Sequence, residues 1–394
     1  MRRQLLWITL AITIIHSDFA GAQSLPSTST SKSSHIDLKG LVKRANVGNP
    51  VAQSQLGLAY QLGQGVDKDP YEAIRWYRMA ANSGDPLAQN NLGYLYETGA
   101  EGVKDLVEAS KWYARAAVSG NPTSQYNLGL RYLRGGGVKK SPEEAAYWFR
   151  RAADANCPEA LVALGYLYAT GEGVLQDLAQ ARKLTLKAAK DHSPEAQASL
   201  AIFYARGLGG SADAVEAVRW FRKAAGAGNA TGEYGLGFMY EKGRGVKQDT
   251  QEALRLYRLA GEHGSMHAQA ALGQIYERGQ GVAADYHEAA TWYRRAIDQG
   301  DACSATRLGA MLFHGEGIDR DLPQAVKLWT WAAERGDAYA QFDLAEMYLT
   351  GAGVRRDLAK AYSLFALAGK TMDVSQQLSE VSSKMNLHEI AEIQ

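Results

Sequence analysis

The sequence predicts an all-α protein, a right-handed superhelical solenoid of antiparallel helix pairs. Three observations lead there. A 36-residue period runs nine times without net insertion or deletion over residues 49–372. Each period carries two apolar patterns at helical spacing, and glycine-rich strings separate them at fixed places. Such a period outranks any length-based expectation of globular domains, because repeats cover one another in single file rather than closing one core.

The chain opens with a signal-peptide pattern over residues 1–22. Arg2 and Arg3 form a positive start, Leu5 to Ile15 is mostly apolar, and Ala20-Gly21-Ala22 offers a small–x–small cleavage site. The apolar run is well short of the ~20 residues needed to span a bilayer. Cleavage after Ala22 and a periplasmic or secreted location are therefore expected, with no transmembrane segment left afterwards. No cysteine near the site suggests a lipid anchor. Residues 23–36, rich in Ser and Thr, are expected to be a disordered linker. The S-x-x-K string from Ser29 to Lys32 is a chance match, since that nucleophile must open a buried helix beside a cleft.

The repeats begin at Asn49, Asp85, Asn121, Cys157, Ser193, Asn229, Ser265, Asp301 and Asp337. Position 8 is always Leu, from Leu56 to Leu344; position 9 is Gly or Ala; position 12 is Tyr except at Leu312. With a small residue at position 4, these fall on one face of a first helix, A. Ala stands at position 25 (Ala73 to Ala361) and at position 32 (Ala80 to Ala368), and a bulky pair such as Trp76-Tyr77 or Trp292-Tyr293 lies between. That spacing marks a second amphipathic helix, B. Small residues bring the helices close while the aromatic pair fills the remaining gap.

Between A and B run Gly63-Gln-Gly65-Val66 and its copies, usually with an Asp three residues after the Val (Asp69, Asp177, Asp285). Glycine suits the left-handed residue just past a helix, and Asp suits the next N-cap. A phosphate cradle is excluded: no strand precedes the string and no Gly-Lys-Ser/Thr follows it. Asn or Asp and often Pro (Pro50, Pro86, Pro122) open the next helix A.

Other chemistries find little support. Lys+Arg number 43 and Asp+Glu 42, a net charge of +1, so no bulk field attracts nucleic acid. Cys157 and Cys303 lie four repeats apart and are expected to stay unpaired. His263 and His267 have i, i+4 spacing, but Gly264 separates them at a repeat junction, so no zinc site is expected there. No H-E-x-x-H, no C-x-x-C and no cofactor motif occurs. No cofactor, metal or catalytic residue is expected, and the protein is read as a non-enzyme.

The string A-Q-x-x-L-G-x-x-Y-x-x-G-x-G-V-x-x-D-x-x-x-A-x-x-W-Y-x-x-A-A-x-x-G, nearly complete at 52–84 and 268–300, resembles the Sel-one-like repeat, a relative of the tetratricopeptide repeat. The resemblance covers 49–372 and implies capping segments: 37–48 resembles helix B of a partial first repeat, and 373–394 resembles closing helices at Val374–Ser383 and Leu387–Ile393. It also implies an adaptor or scaffold that binds another protein or peptide. Exported members are similar to factors that regulate or assemble envelope, exopolysaccharide-secretion or host-interaction complexes. A polysaccharide-binding scaffold is the alternative. A β-lactam or cell-wall hydrolase is remote, because this chain lacks the paired cysteines of that subgroup.

In stacks of this type helix A is expected to line the concave surface, so leftover positions 6, 7 and 10 supply candidate partner-binding residues. Asn91, Tyr94, Tyr126, Asn127, Tyr166, Tyr234 and Phe238 read either as an aromatic and amide ladder for an extended peptide or as packing between repeats. Arg307 joins them from position 7. Arg131 occupies an otherwise apolar position, either pairing or contacting a ligand, or snorkelling to the surface. Trp331 is a further candidate from the unusual eighth repeat.

Overall fold

The computed structural model describes residues 37–385, apart from 100, 101 and 103. The signal-peptide and linker segments, and the closing helix expected at Leu387–Ile393, lie outside the described residues. The described residues hold twenty α-helices and no strand. The chain divides into two units, up to Ala217 and from Val218.

The first unit starts with α1 (Leu38–Asn46). It continues with the pairs α2 (Pro50–Leu62) and α3 (Pro70–Asn82), α4 (Pro86–Thr98) and α5 (Leu106–Val118), α6 (Pro122–Arg134) and α7 (Pro142–Asp154), and α8 (Pro158–Thr170) and α9 (Leu178–Lys190), followed by α10 (Pro194–Arg206). Helix α11 (Ala214–Gly226) carries the boundary. The second unit holds α12 (Ala230–Lys242) and α13 (Thr250–Glu262), α14 (Met266–Arg278) and α15 (Tyr286–Asp298), α16 (Ala302–His314) and α17 (Leu322–Glu334), α18 (Ala338–Thr350) and α19 (Leu358–Ala368), and finally α20 (Ser375–Ser383).

The helix ends follow from local chemistry. Asn49 Oδ1 accepts from Ala52 N at 2.9 Å and Pro50 opens α2, which stops at Gly63 with φ +72°. Asp69 then caps α3 by accepting from the amides of Tyr71 and Glu72. The Asp69 amide also donates to Tyr60 O at 3.0 Å, closing the loop between the two helices. Cys157 sits at the same N-cap position of α8 without a side-chain cap bond, its thiol 3.1 Å from Glu159 Oε2. Both cysteines are free, and burial pushes the Cys157 thiol up to about 12.

Packing within a pair depends on glycine at position 9. A Cβ on Gly57 would stand 2.8 Å from the Tyr77 ring, and one on Gly93 2.8 Å from Tyr113. The bare backbone lets helix B's aromatic residue lie flat on helix A. In the first unit Tyr77, Leu92, Tyr113 and Leu128 belong to one continuous buried cluster; in the second, Tyr293, Leu308, Trp329 and Leu344 form another.

Neighbouring pairs are joined by a buried amide. At position 5 of helix A, Gln53 Nε2 donates to Ala45 O, eight residues back at the end of the preceding helix, at 3.1 Å. Gln89, Gln125, Gln197, Gln269 and Gln341 do the same to Ala81, Ala117, Ala189, Gly261 and Ala333. A helix leaves its last carbonyls without intrahelical partners. Here the next repeat supplies a donor.

Candidate functional site

The ten residues singled out in the sequence have distinct fates. In the first unit Asn91, Tyr94, Asn127 and Tyr166 are half-buried on their helix A. Asn127 Nδ2 donates to Asn90 Oδ1 at 3.2 Å, and Tyr166 Oη lies 3.4 Å from Glu172 Oε2, with burial raising its hydroxyl above the ordinary tyrosine value. Tyr126 is 5 % exposed and its ring centroid lies 5.7 Å from that of Phe149, so its ring serves packing more than an open face. In the second unit Tyr234 and Phe238 are half-buried. Tyr234 stacks 5.5 Å from Tyr257, and burial pushes its hydroxyl up to about 12. Phe238 lies 5.9 Å beneath the Lys242 ammonium.

Arg131 is not a snorkelling surface residue. It is 5 % exposed, and its Nη2 stands 2.6 Å from Glu97 Oε1 of the preceding repeat. Its stem follows the apolar position it occupies, and the carboxylate receives the charge. Arg307 makes the looser counterpart, 3.5 Å from Glu277 Oε1. Trp331 stands apart on α17, a helix B, half-buried beneath the Arg335 guanidinium at 3.9 Å. It does not share the helix-A face with the others.

These contacts belong to a polar seam along helix A that individual residue types did not announce. Where position 29 of helix B is tyrosine, its hydroxyl passes helix A and donates to position 13. Tyr77 donates to Gln61 at 2.8 Å, Tyr113 to Glu97 at 2.8 Å, Tyr257 to Glu241 at 2.6 Å, and Tyr293 to Glu277. Burial, then the carboxylate beside each, raises the Tyr113, Tyr257 and Tyr293 hydroxyls well above the ordinary range. The phenols stay protonated as donors. The seam's carboxylates are locally neutralised, Glu97 by Arg131, Glu241 by Lys242 and Glu277 by Arg307.

His263 and His267 turn to different neighbours. His263 faces Glu233, whereas His267 stacks 5.9 Å from Tyr234 and burial lowers its basicity. Among the described residues no group of three or more His, Cys, Asp or Glu side chains is placed to hold a metal ion. No helix among them is long and apolar enough to cross a membrane. What the helix-A side offers is aromatic faces, amides and fixed charges, the chemistry of recognition.

Comparison with known proteins agrees with this arrangement. The model of the Sel1 repeat matches nine times, over residues 50–85, 86–121, 122–157, 158–193, 194–229, 230–265, 267–301, 304–337 and 338–370. No curated protein matches significantly. Among solved structures, a Sel1 repeat protein from Oxalobacter formigenes is 34% identical over 79% of this chain and 90% of its own, with a TM-score of 0.64. A protective antigen present in uropathogenic Escherichia coli strains, displaying an SLR fold, is 29% identical over 91% of this chain and 93% of its own, with a TM-score of 0.54.

Proposed function

The chain belongs to the Sel1 repeat family, whose members are typically protein–protein interaction scaffolds and generally not enzymes, and from that premise we propose that it holds an extended polypeptide along the helix-A side of its repeats. The observation that carries this reading is the row of half-buried Asn91, Tyr94, Asn127 and Tyr166 in the first unit. Half-buried aromatic residues lose little entropy on binding and anchor interfaces, and the amides match a peptide backbone.

The proposed setting is the periplasm or the cell exterior, where the protein regulates or assembles an envelope, secretion or host-facing complex. Two things support it: the signal-peptide pattern of residues 1–22, and a relative that is a protective antigen. Export is tested by N-terminal sequencing of the mature protein, which should begin at Gln23; retention of Met1 would refute it.

The binding reading is tested by cross-linking in the native host, identifying the captured polypeptide by mass spectrometry, and titrating it against Tyr94→Ala/Tyr166→Ala. A Kd raised tenfold or more with an unchanged thermal melt supports the reading. An unchanged Kd, or a melt that collapses, assigns these tyrosines to packing alone. Binding to a glycan array with no polypeptide captured would favour the polysaccharide scaffold.

A further inference from the structure

At four junctions an arginine at position 30 of helix B meets the tyrosine at position 12 of the next helix A. Arg78 donates to the Tyr96 hydroxyl, and the terminal nitrogens of Arg150, Arg222 and Arg258 lie 3.2, 3.4 and 2.7 Å from those of Tyr168, Tyr240 and Tyr276. At the following junction the arginine is kept, as Arg294, but position 12 is Leu312. The backbone there is unaltered: Asp321 N donates to Leu312 O at 2.9 Å, as Asp285 N does to Tyr276 O at 2.9 Å. Only the side chain differs.

Leucine lacks both the hydroxyl and the ring. A cleft of about 700 Å³ opens at this place, walled by Leu312, Ile318 and Leu322 and edged by Arg294, His287 and Arg320. Arg294 is exposed and makes no hydrogen bond or ion pair among the described residues. Arg320 is partly engaged, its Nε donating to Phe313 O at 2.9 Å.

We propose that this cleft binds an aromatic ring bearing an acceptor oxygen, a carboxylate or a phenol, which takes the place of the absent tyrosine and accepts from Arg294. The guanidinium is charged at every relevant pH and presents a fork that fits a carboxylate. Apolar walls beside several charged and polar groups suit a ring carrying a polar oxygen rather than a bare inorganic ion. Asp319 and Asp321 also line the cleft, so its charge is near balance and favours a monoanion or a neutral phenol over phosphate. The ring arrives either on a free aromatic acid or on a tyrosine of a polypeptide. The site is lined by α15, the end of α16, the loop that follows and the start of α17 in the second unit, and it shares no residue with the helix-A reading.

The test titrates the full-length protein by NMR with 3-(4-hydroxyphenyl)propionate and, separately, with N-acetyltyrosine amide. Ligands of this size bind a single such cleft with a Kd near ~1 mM. Arg294→Met should weaken binding at least tenfold. Leu312→Tyr, which rebuilds the tyrosine of the other junctions, should abolish it while leaving the melt unchanged or higher. Binding of the acid alone identifies a free carboxylate as the ligand; binding of both probes identifies a polypeptide tyrosine. Absence of binding by either probe at about 10 mM, or a Leu312→Tyr protein that binds as well as the parent, overturns the proposal.

Discussion

The carboxylate of Glu233, fully buried at the start of α12, meets the ring Nδ1 of His263, just past the end of α13 in the same repeat, at 2.9 Å. Six other repeats place glutamine at this position to serve a backbone carbonyl. Here the amide is replaced by an acid, which needs a partner because a buried carboxylate without one is costly.

Glu233→Gln should therefore fold with a stability within about 1 kcal/mol of the parent, since the amide can resume the common contact. His263→Ala strands the acid and should cost about 2–3 kcal/mol. Urea unfolding of both, and of the double variant, decides the matter. Recovery of most of the loss in Glu233→Gln/His263→Ala is the expected signature; an equal loss in the double variant would assign His263 a packing role only.

Asp343 supplies the pH dependence. Burial first, then Asp337, pushes its carboxyl from 3.8 up to about 6, with His314 acting the other way. A raised carboxyl means that the native state holds its proton more tightly than the unfolded state does. Stability is thus fully present below the unfolded value near 3.8 and is lost as pH rises through about 6. Asp343→Asn should be more stable than the parent by about 1–2 kcal/mol at neutral pH, after allowing for solvent screening of a partly exposed group. The two melts should converge in acid. A constant difference across the range would count against this cause.

Gly273→Ala probes the close approach of helices. Its Cβ would fall 2.4 Å from the Tyr293 ring. Overpacking of this kind costs about 1–3 kcal/mol, against a gain of up to ~1 kcal/mol from replacing a helical glycine. A lowered midpoint in thermal circular dichroism is expected. Ala345 already stands at the same position in the ninth repeat and is fully buried, so the reverse change Ala345→Gly should cost the ~0.5–1 kcal/mol of helix propensity plus about 1 kcal/mol for the lost buried methyl.

Arg131→Met removes the cation from Glu97. With Arg131 5 % exposed and the carboxylate partly open to water, the loss should be about 2 kcal/mol, and Arg131→Met/Glu97→Gln should recover part of it. Simple additivity of the two single losses would show that the pair is not coupled.

The period, the caps and the turns were legible because each depends on residues within a few positions: Asn49 and Pro50 start a helix, Gly63 ends it, and Asp69 starts the next. Whether Tyr94 or Tyr126 faces outward was not, since both sit on helix A and only the Phe149 ring decides that Tyr126 is covered. The seam was hidden for a different reason. Glutamate or glutamine at position 13 (Gln61, Glu97, Glu241, Glu277) occurs where position 29 is tyrosine, whereas Leu133, Ala169, Ala205, Phe313 and Leu349 accompany other residues there. That correlation joins positions 16 apart on different helices, and reading each helix by its own periodicity passes over it.

The amide ladder has a consequence for how the chain leaves the ribosome. At six junctions a helix B emerges with a terminal carbonyl whose side-chain donor, a glutamine, is made eight residues later, as Gln53 follows Ala45. Growth therefore has a direction: at those junctions the newly made pair finishes the one before it, and a chain halted there ends on a helix still lacking its seal.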